Sequence, residues 1–161
     1  MSLPIIILPM YRDDIDEIAR LHAQAFPRQQ RSLDWIRCNF AAFPRIMSFV
    51  ARDEKDQIVG YIQWIQKSGF RKESVIELEQ IAVIKNQQSK GIGTKLIQES
   101  LSLIRNYLKD SGSLLKAILV STQTDNTAQV LYKKALAAQE VAVIKNLYSH
   151  DEVIMISRVL S

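Results

Sequence analysis

The 161-residue chain has one cysteine, Cys38, and two histidines, His22 and His150. A lone thiol excludes an intramolecular disulfide and fits a reducing, cytoplasmic setting. The three residues lie far apart, with no metal-ligand spacing, so no metal is expected. Long apolar runs are also missing. The stretch 4–10 is too short to cross a bilayer, and no basic n-region or small-residue cleavage site accompanies it, so no membrane partner is expected. The opening Met1-Ser2-Leu3 is assigned no structural role. Lys and Arg outnumber Asp and Glu by 21 to 17, a net charge of +4. That mildly favours anionic partners, but the basic residues form no block and no nucleic-acid-binding motif, so nucleic acid is not expected. Linkers, repeats and low-complexity segments are absent too. Apolar residues make up 47% and charged residues 24%, the balance of an ordinary globular protein, and the length suits one domain over 1–161.

Periodicity then orders the chain. Residues 5–8 read as a buried strand. Asp13 and Asp14 open a helix, where the dipole favours acids, with apolar positions at Ile15, Ile18, Leu21, Ala25 and Phe26. Pro27 ends it. Ser32 is placed to cap a second helix through about Phe40, closed by Pro44. Residues 46–52 and 58–66 are strand-like, joined by a polar turn at 53–56, and a turn at 68–72 leads to a strand over 74–84. Ile92, Leu96, Ile97, Leu101, Ile104 and Leu108 recur every three or four residues, predicting a helix over 91–110 with Gly112 as its stop. A strand at 117–122, a short helix at 127–136 and strands at 140–145 and 152–159 complete the order β-α-α-β-β-β-α-β-α-β-β. Three consecutive strands imply antiparallel pairing, and the strand-helix-strand unit 74–122 implies one parallel crossover. The expected fold is α/β (α+β), a mixed and mostly antiparallel sheet of about seven strands flanked by about four helices.

The stretch 86–97, NQQSKGIGTKLI, carries the chemistry. A strand, a tight glycine turn and a helix aim backbone N–H groups at one spot, and the helix dipole adds positive charge there. A pyrophosphate suits that spot. Gly91 and Gly93 let the backbone approach it, Thr94 adds a hydroxyl and Lys90 a full charge. Taken alone, the stretch reads more readily as a plain turn. It lacks the P-loop spacing G-x-x-x-x-G-K-[ST], and Leu96 stands where a dinucleotide fingerprint needs its third glycine.

Gln88-Ser-Lys-Gly91-Ile-Gly93 does fit the pattern Q/R-x-x-G-x-G/A. Preceded by Leu78-Glu-Gln-Ile-Ala-Val83, it resembles motif A of the GNAT superfamily of acyl-CoA N-acyltransferases, and the element order is similar to that fold from end to end. The resemblance implies acetyl-CoA as cosubstrate and an amine acceptor. It implies that Gln88, Ser89, Lys90, Gly91, Ile92, Gly93 and Thr94 cradle the CoA pyrophosphate, and that backbone groups of Ile81, Ala82 and Val83 pair with pantetheine as a pseudo-strand. Asp125-Asn126-Thr-Ala-Gln-Val-Leu-Tyr132 resembles the family's Asn-then-Tyr helix. There Asn126 would bond pantetheine and Tyr132 would face the thioester sulfur as acid. Two departures stand out: the Asn-to-Tyr spacing is one residue short of the commonest pattern, and Leu136-Ala137-Ala138 replaces the usual Gly-Phe, so the helix end must close without glycine.

Transfer needs a neutral amine. An alkylammonium with a pKa of ~10.4 is neutral in only roughly one molecule in a few thousand at pH 7, so a base is useful. Glu77 and Glu79 lie two apart on one face of an otherwise apolar strand. Within the resemblance Glu79 matches the carboxylate of several small-amine acetyltransferases and Glu77 the base of the histone-type branch. Glu79 is narrowly preferred, and either can instead form a charged pair with a cross-strand Lys or Arg. A backbone N–H near Val83 would polarise the thioester carbonyl. His150 and Tyr148 fall in the last turn, which borders the acceptor in this fold. His22 reads as helix surface or helix packing, and Trp35, Trp64 and Phe40 as core or pocket wall. The implied activity is direct N-acetyl transfer to a primary amine in a ternary complex, by a monomer or homodimer. The alternative is a non-catalytic acyl-CoA-binding sensor on the same fold.

Overall fold

The computed structural model describes residues 4–159, so Met1-Ser2-Leu3 lies outside it. Among the described residues are strands β1 (Ile6–Pro9), β2 (Ile46–Arg52), β3 (Ile58–Lys67), β4 (Glu73–Val83), β5 (Leu114–Gln123), β6 (Gln139–Ile144) and β7 (Glu152–Arg158). The helices are α1 (Ile15–Ala25), α2 (Ser32–Ala41), α3 (Ile92–Asp110) and α4 (Ala128–Leu136), with short 3₁₀ turns at Arg12–Asp14 and Lys85–Gln87. This is the expected mixed seven-stranded sheet, in the order β1-β2-β3-β4-β5-β7-β6. β4 and β5 run parallel, as a crossover through α3 requires, while β1–β2, β5–β7 and β6–β7 are antiparallel. No described helix is long and apolar enough to cross a membrane. The described residues form two compact units: those up to Trp64 with Gln80–Ser102, and Ile65–Glu79 with those from Leu103 onward.

In the first unit, the apolar stripe of α1 and Ile36 of α2 form a core with Val50, Ile58, Tyr61 and Ala82. Asp13 and Asp14 do stand at the helix opening, in the 3₁₀ turn that leads into α1. Asp14 is buried there, accepts the Tyr11 amide at 2.8 Å and pairs with Arg52. Ser32, by contrast, is not the α2 cap. Left-handed Arg31 holds that position, and the Ser32 hydroxyl meets Nδ1 of the buried His22 at 2.8 Å. A buried ring nitrogen without a partner costs more than a helix end left to water, so the histidine takes the hydroxyl. Gly60 is required by close approach. A Cβ there would lie 2.9 Å from the Ala82 carbonyl oxygen and 3.2 Å from a Leu96 methyl. Ile92, Leu96, Ile97 and Leu101 of α3 are all buried, as their spacing predicts.

In the second unit, the register sets Glu77 beside Leu119 and Leu119 beside Ile156. α3 ends as Gly112 predicts: the Ser113 amide reaches the Leu108 carbonyl at 2.8 Å and the Gly112 amide reaches Lys109 at 3.0 Å. α4 closes without glycine by placing Ala137 itself in the left-handed region, φ 51°, with the Ala137 and Ala138 amides both directed to the Tyr132 carbonyl. β6 is exposed along its length, and its register to β7 shifts between Glu140 and Ala142.

Candidate active site

The predicted loop lies between the end of β4 and the start of α3, whereas Glu77 and Glu79 sit within β4 and Tyr132 within α4. In the first unit, β4 ends at Val83 and the chain passes through Lys85–Gln87 to Ser89 and Gly91, both left-handed at φ 61° and 81°. Such residues bracketing Lys90 favour convergent N–H groups. The Gly91 carbonyl accepts the Lys95 amide at 3.0 Å and starts the α3 ladder, so the amides of Ile92, Gly93 and Thr94 precede any intrahelical donor position. A Cβ on Gly91 would meet nothing within 4 Å. Backbone conformation, not crowding, demands glycine there, and the space before it is open. The Gln88 side-chain amide donates to the Val83 carbonyl at 3.0 Å, which ties the loop to the strand end that carries Ile81 and Ala82. Ser89 and Lys90 are exposed, and the ammonium of Lys90 donates to Gln87 at 3.1 Å. Ile92 is buried, so its side chain anchors the helix and only its backbone is available. The loop therefore fits a pyrophosphate.

In the second unit the two glutamates differ. Glu77 is paired with Lys67 at 3.0 Å, the cross-strand pairing held open for either residue. Glu79 makes no ion pair or side-chain hydrogen bond among the described residues. Burial first, then repulsion from Glu77, raises its carboxyl above the ordinary value, against a smaller pull from Lys67. Tyr132 sits on α4 and is 6% exposed. Burial pushes its phenol up to about 12, and its hydroxyl has no hydrogen bond among the described residues. Asn126 donates to the Thr122 hydroxyl at 2.9 Å and accepts the Ala128 amide at 2.9 Å, so its side chain already shapes the entry to α4.

Two polar systems escaped the sequence reading. In the first unit, Gln80 Oε1 accepts Trp35 Nε1–H at 3.0 Å and the Tyr61 hydroxyl at 3.3 Å. Gln80 Nε2 donates to Gln29 Oε1 at 3.0 Å, and His22 Nε2 lies 2.9 Å from the same oxygen. One proton arrangement satisfies every member: neutral His22 donates from Nε2 and receives the Ser32 hydroxyl at Nδ1. Burial lowers the His22 pKa, which agrees with the neutral form. In the second unit, buried Glu152 accepts the Ser121 hydroxyl at 2.8 Å and lies 3.2 Å from His150 Nε2, while His150 Nδ1 is buried without a partner among the described residues. The only sequence signal for either system is a polar residue at an inward position of an apolar strand, Gln80 or Glu152. An open cleft of about 490 Å³ beside Arg12, Asp16, Arg37 and Phe40 holds none of the predicted site residues.

A profile of the Acetyltransferase (GNAT) family matches residues 15–137, well over half of the chain. The chain belongs to the GNAT family. No curated protein matches this GNAT chain. Among solved structures, Arabidopsis thaliana NAA60 in complex with acetyl-CoA is similar at TM-score 0.77 and 15% identity, covering 97% of this chain and 99% of that one. An aminoglycoside 6'-N-acetyltransferase complexed with coenzyme A matches at 0.77 and 17%, covering 97% and 98%. The ribosomal-protein-S18-alanine N-acetyltransferase from Escherichia coli matches at 0.77 and 16%, covering 98% and 96%. Identities this low establish the shared GNAT fold and leave the acceptor open.

Proposed function

We propose that this GNAT chain is an acetyl-CoA-dependent N-acetyltransferase, one domain over its whole length, that acetylates a primary amine directly in a ternary complex. Family membership and the open Ser89–Thr94 loop support CoA binding. Glu79 is the observation that favours catalysis over a non-catalytic acyl-CoA sensor. A half-buried, unpaired carboxylate with a raised pKa costs stability with no structural return, which favours a functional role, and a raised pKa suits a base that must take a proton from an ammonium.

Acetyl-CoA supplies the acetyl group as a thioester. Backbone amides of residues 88–94 hold its pyrophosphate, with the Lys90 ammonium at the rim, and Ile81–Val83 offer backbone groups to pantetheine. Asn126, already bonded to Thr122, has a second amide hydrogen to give. Glu79 takes a proton from the acceptor ammonium, directly or through water, while Glu77 beside it is paired with Lys67. Tyr132 remains a phenol throughout the neutral range. At about 12 it lies roughly three units above an ordinary thiol, so its first service to the departing thiolate is a hydrogen bond, with proton delivery uphill.

Saturation with acetyl-CoA at ~100-fold over Kd should stabilise the protein by about 2.7 kcal/mol, which raises Tm by about 5–10 °C in a chain of this size. Free thiol should then appear with at least one member of a primary-amine panel. A thermal shift without thiol release from any amine would favour the sensor. No shift at all would remove the CoA reading.

A further inference from the structure

Within the second compact unit, half-buried strand positions alternate with buried ones. The half-buried set includes Glu77 and Glu79 on β4, Leu119 and Ser121 on β5, and Ile154 and Ile156 on β7. The register puts this set on one face of the sheet. Glu77 lies beside Leu119, Leu119 beside Ile156 and Ser121 beside Ile154, and residues two apart on a strand share a face. The ladder between β4 and β5 runs as far as Leu78 beside Val120. Glu79 and Ser121 are the next residues on their strands. They are therefore neighbours on that face, on strands spaced ~4.8 Å apart.

Ser121 is not a free hydroxyl. It donates to Glu152 Oε1 at 2.8 Å, and the other carboxylate oxygen lies 3.2 Å from His150 Nε2. Glu152 is 7% exposed, and both of its oxygens have partners, so its carboxylate is fixed. A hydroxyl has one proton and two lone pairs. With the proton directed at Glu152, the Ser121 oxygen has only lone pairs to offer beside Glu79. A half-buried serine needs no buried carboxylate to satisfy its proton, and burying a carboxylate costs free energy. The arrangement suits a site that must receive an N–H.

We propose that Ser121 is a second contact for the acceptor, whose oxygen accepts one N–H of the amine that Glu79 deprotonates. Glu152 and His150 act through Ser121 as positioning residues. The proposal rests on the N-acetyltransferase reading above. A primary ammonium has three N–H groups. One proton goes to Glu79 and one N–H points at Ser121, which leaves the nitrogen lone pair for the thioester carbon. Nitrogen gains positive charge as it bonds that carbon, so the hydrogen bond to Ser121 strengthens towards the transition state.

The test measures kcat/KM for n-butylamine, ethanolamine and glycinamide at saturating acetyl-CoA. Ser121→Ala should lose about 10- to 100-fold for each amine turned over, and Ser121→Thr, which returns a hydroxyl, should recover most of that loss. KM for acetyl-CoA should stay within about twofold. Glu152→Gln should fall between, since a carboxamide can turn either its oxygen or its N–H towards Ser121. Added to Ser121→Ala, the same change should cost no more than about twofold further. Melting curves check that each variant folds, and the two Ser121 variants decide if Glu152→Gln does not. Wild-type kcat/KM in Ser121→Ala, or a loss that Ser121→Thr leaves unrestored, overturns the proposal. Fully additive losses in the double variant overturn the positioning role of Glu152. Should no amine release thiol, the transferase reading fails and calorimetry decides this contact separately. Binding of n-butylamine to the CoA-loaded protein that weakens about tenfold in Ser121→Ala but not in Ser121→Thr supports it. Equal binding in all three proteins, or binding in none, overturns it.

Discussion

Glu77 and Glu79 stand two residues apart on β4 and meet different environments. Lys67 compensates Glu77, whereas Glu79 is held above its ordinary pKa by burial and by Glu77. Ionising Glu79 therefore costs the folded state. The penalty is nil below the ordinary carboxylate value, grows as pH rises through it, and is constant above the folded-state value. Glu79→Gln should melt higher than the wild type at neutral pH, with the gap closing towards acid pH, in melting curves across that range. The same variant should lose roughly 10²-fold or more in kcat/KM together with the acid limb of the pH–rate profile. Glu77→Gln should keep the limb but move it down, since one repulsive charge is gone and Lys67 is released. Tyr132→Phe should lower kcat by about 10²-fold with little change in KM for acetyl-CoA, as steady-state kinetics would show. Because the phenol sits at about 12, it contributes no alkaline limb in the neutral range.

The ends of helices α3 and α4 solve one problem in two ways. α3 uses Gly112 at φ 78°, and α4 forces Ala137 to φ 51°. A left-handed non-glycine residue costs about 1–2 kcal/mol, and glycine returns about 0.4–1 kcal/mol of that as unfolded-chain entropy. Ala137→Gly should therefore gain about 0.5–1 kcal/mol of stability, read from the urea midpoint at unchanged slope. The residue after Tyr132's helix is thus a strained departure from the usual glycine. The strain lies at the end of the element that carries the proposed acid. In α2 the surprise is Ser32, whose hydroxyl serves His22 rather than the helix end.

Over the whole molecule the charge is +4, modest but of the sign that attracts a polyanionic cosubstrate. Exposed Lys90 stands at the rim of the 88–94 loop. KM for acetyl-CoA should rise with ionic strength as this attraction is screened over a Debye length of ~8–10 Å. Lys90→Gln should raise KM by up to about fivefold at low salt and flatten the salt dependence, which kinetics in a sodium chloride series would reveal. The family profile reaches from α1 to the end of α4, so the resemblance carried by the motif extends over elements of both compact units.

Local information was enough for the order and type of the elements. The α3 stripe, Gly112, and the glycine turn between strand and helix are all written within one or two turns of the chain, where periodicity and backbone preference act. Partnership was not legible in that way. Which glutamate is compensated depends on Lys67 across a neighbouring strand, and the exposed, anchored indole of Trp35 depends on Gln80, 45 residues away. Ser32 carried a correct local signal for a cap and lost it to a buried histidine on another helix. Side-chain partnership follows burial and distance in the folded state, because a buried polar group takes whichever partner tertiary packing brings within about 3 Å.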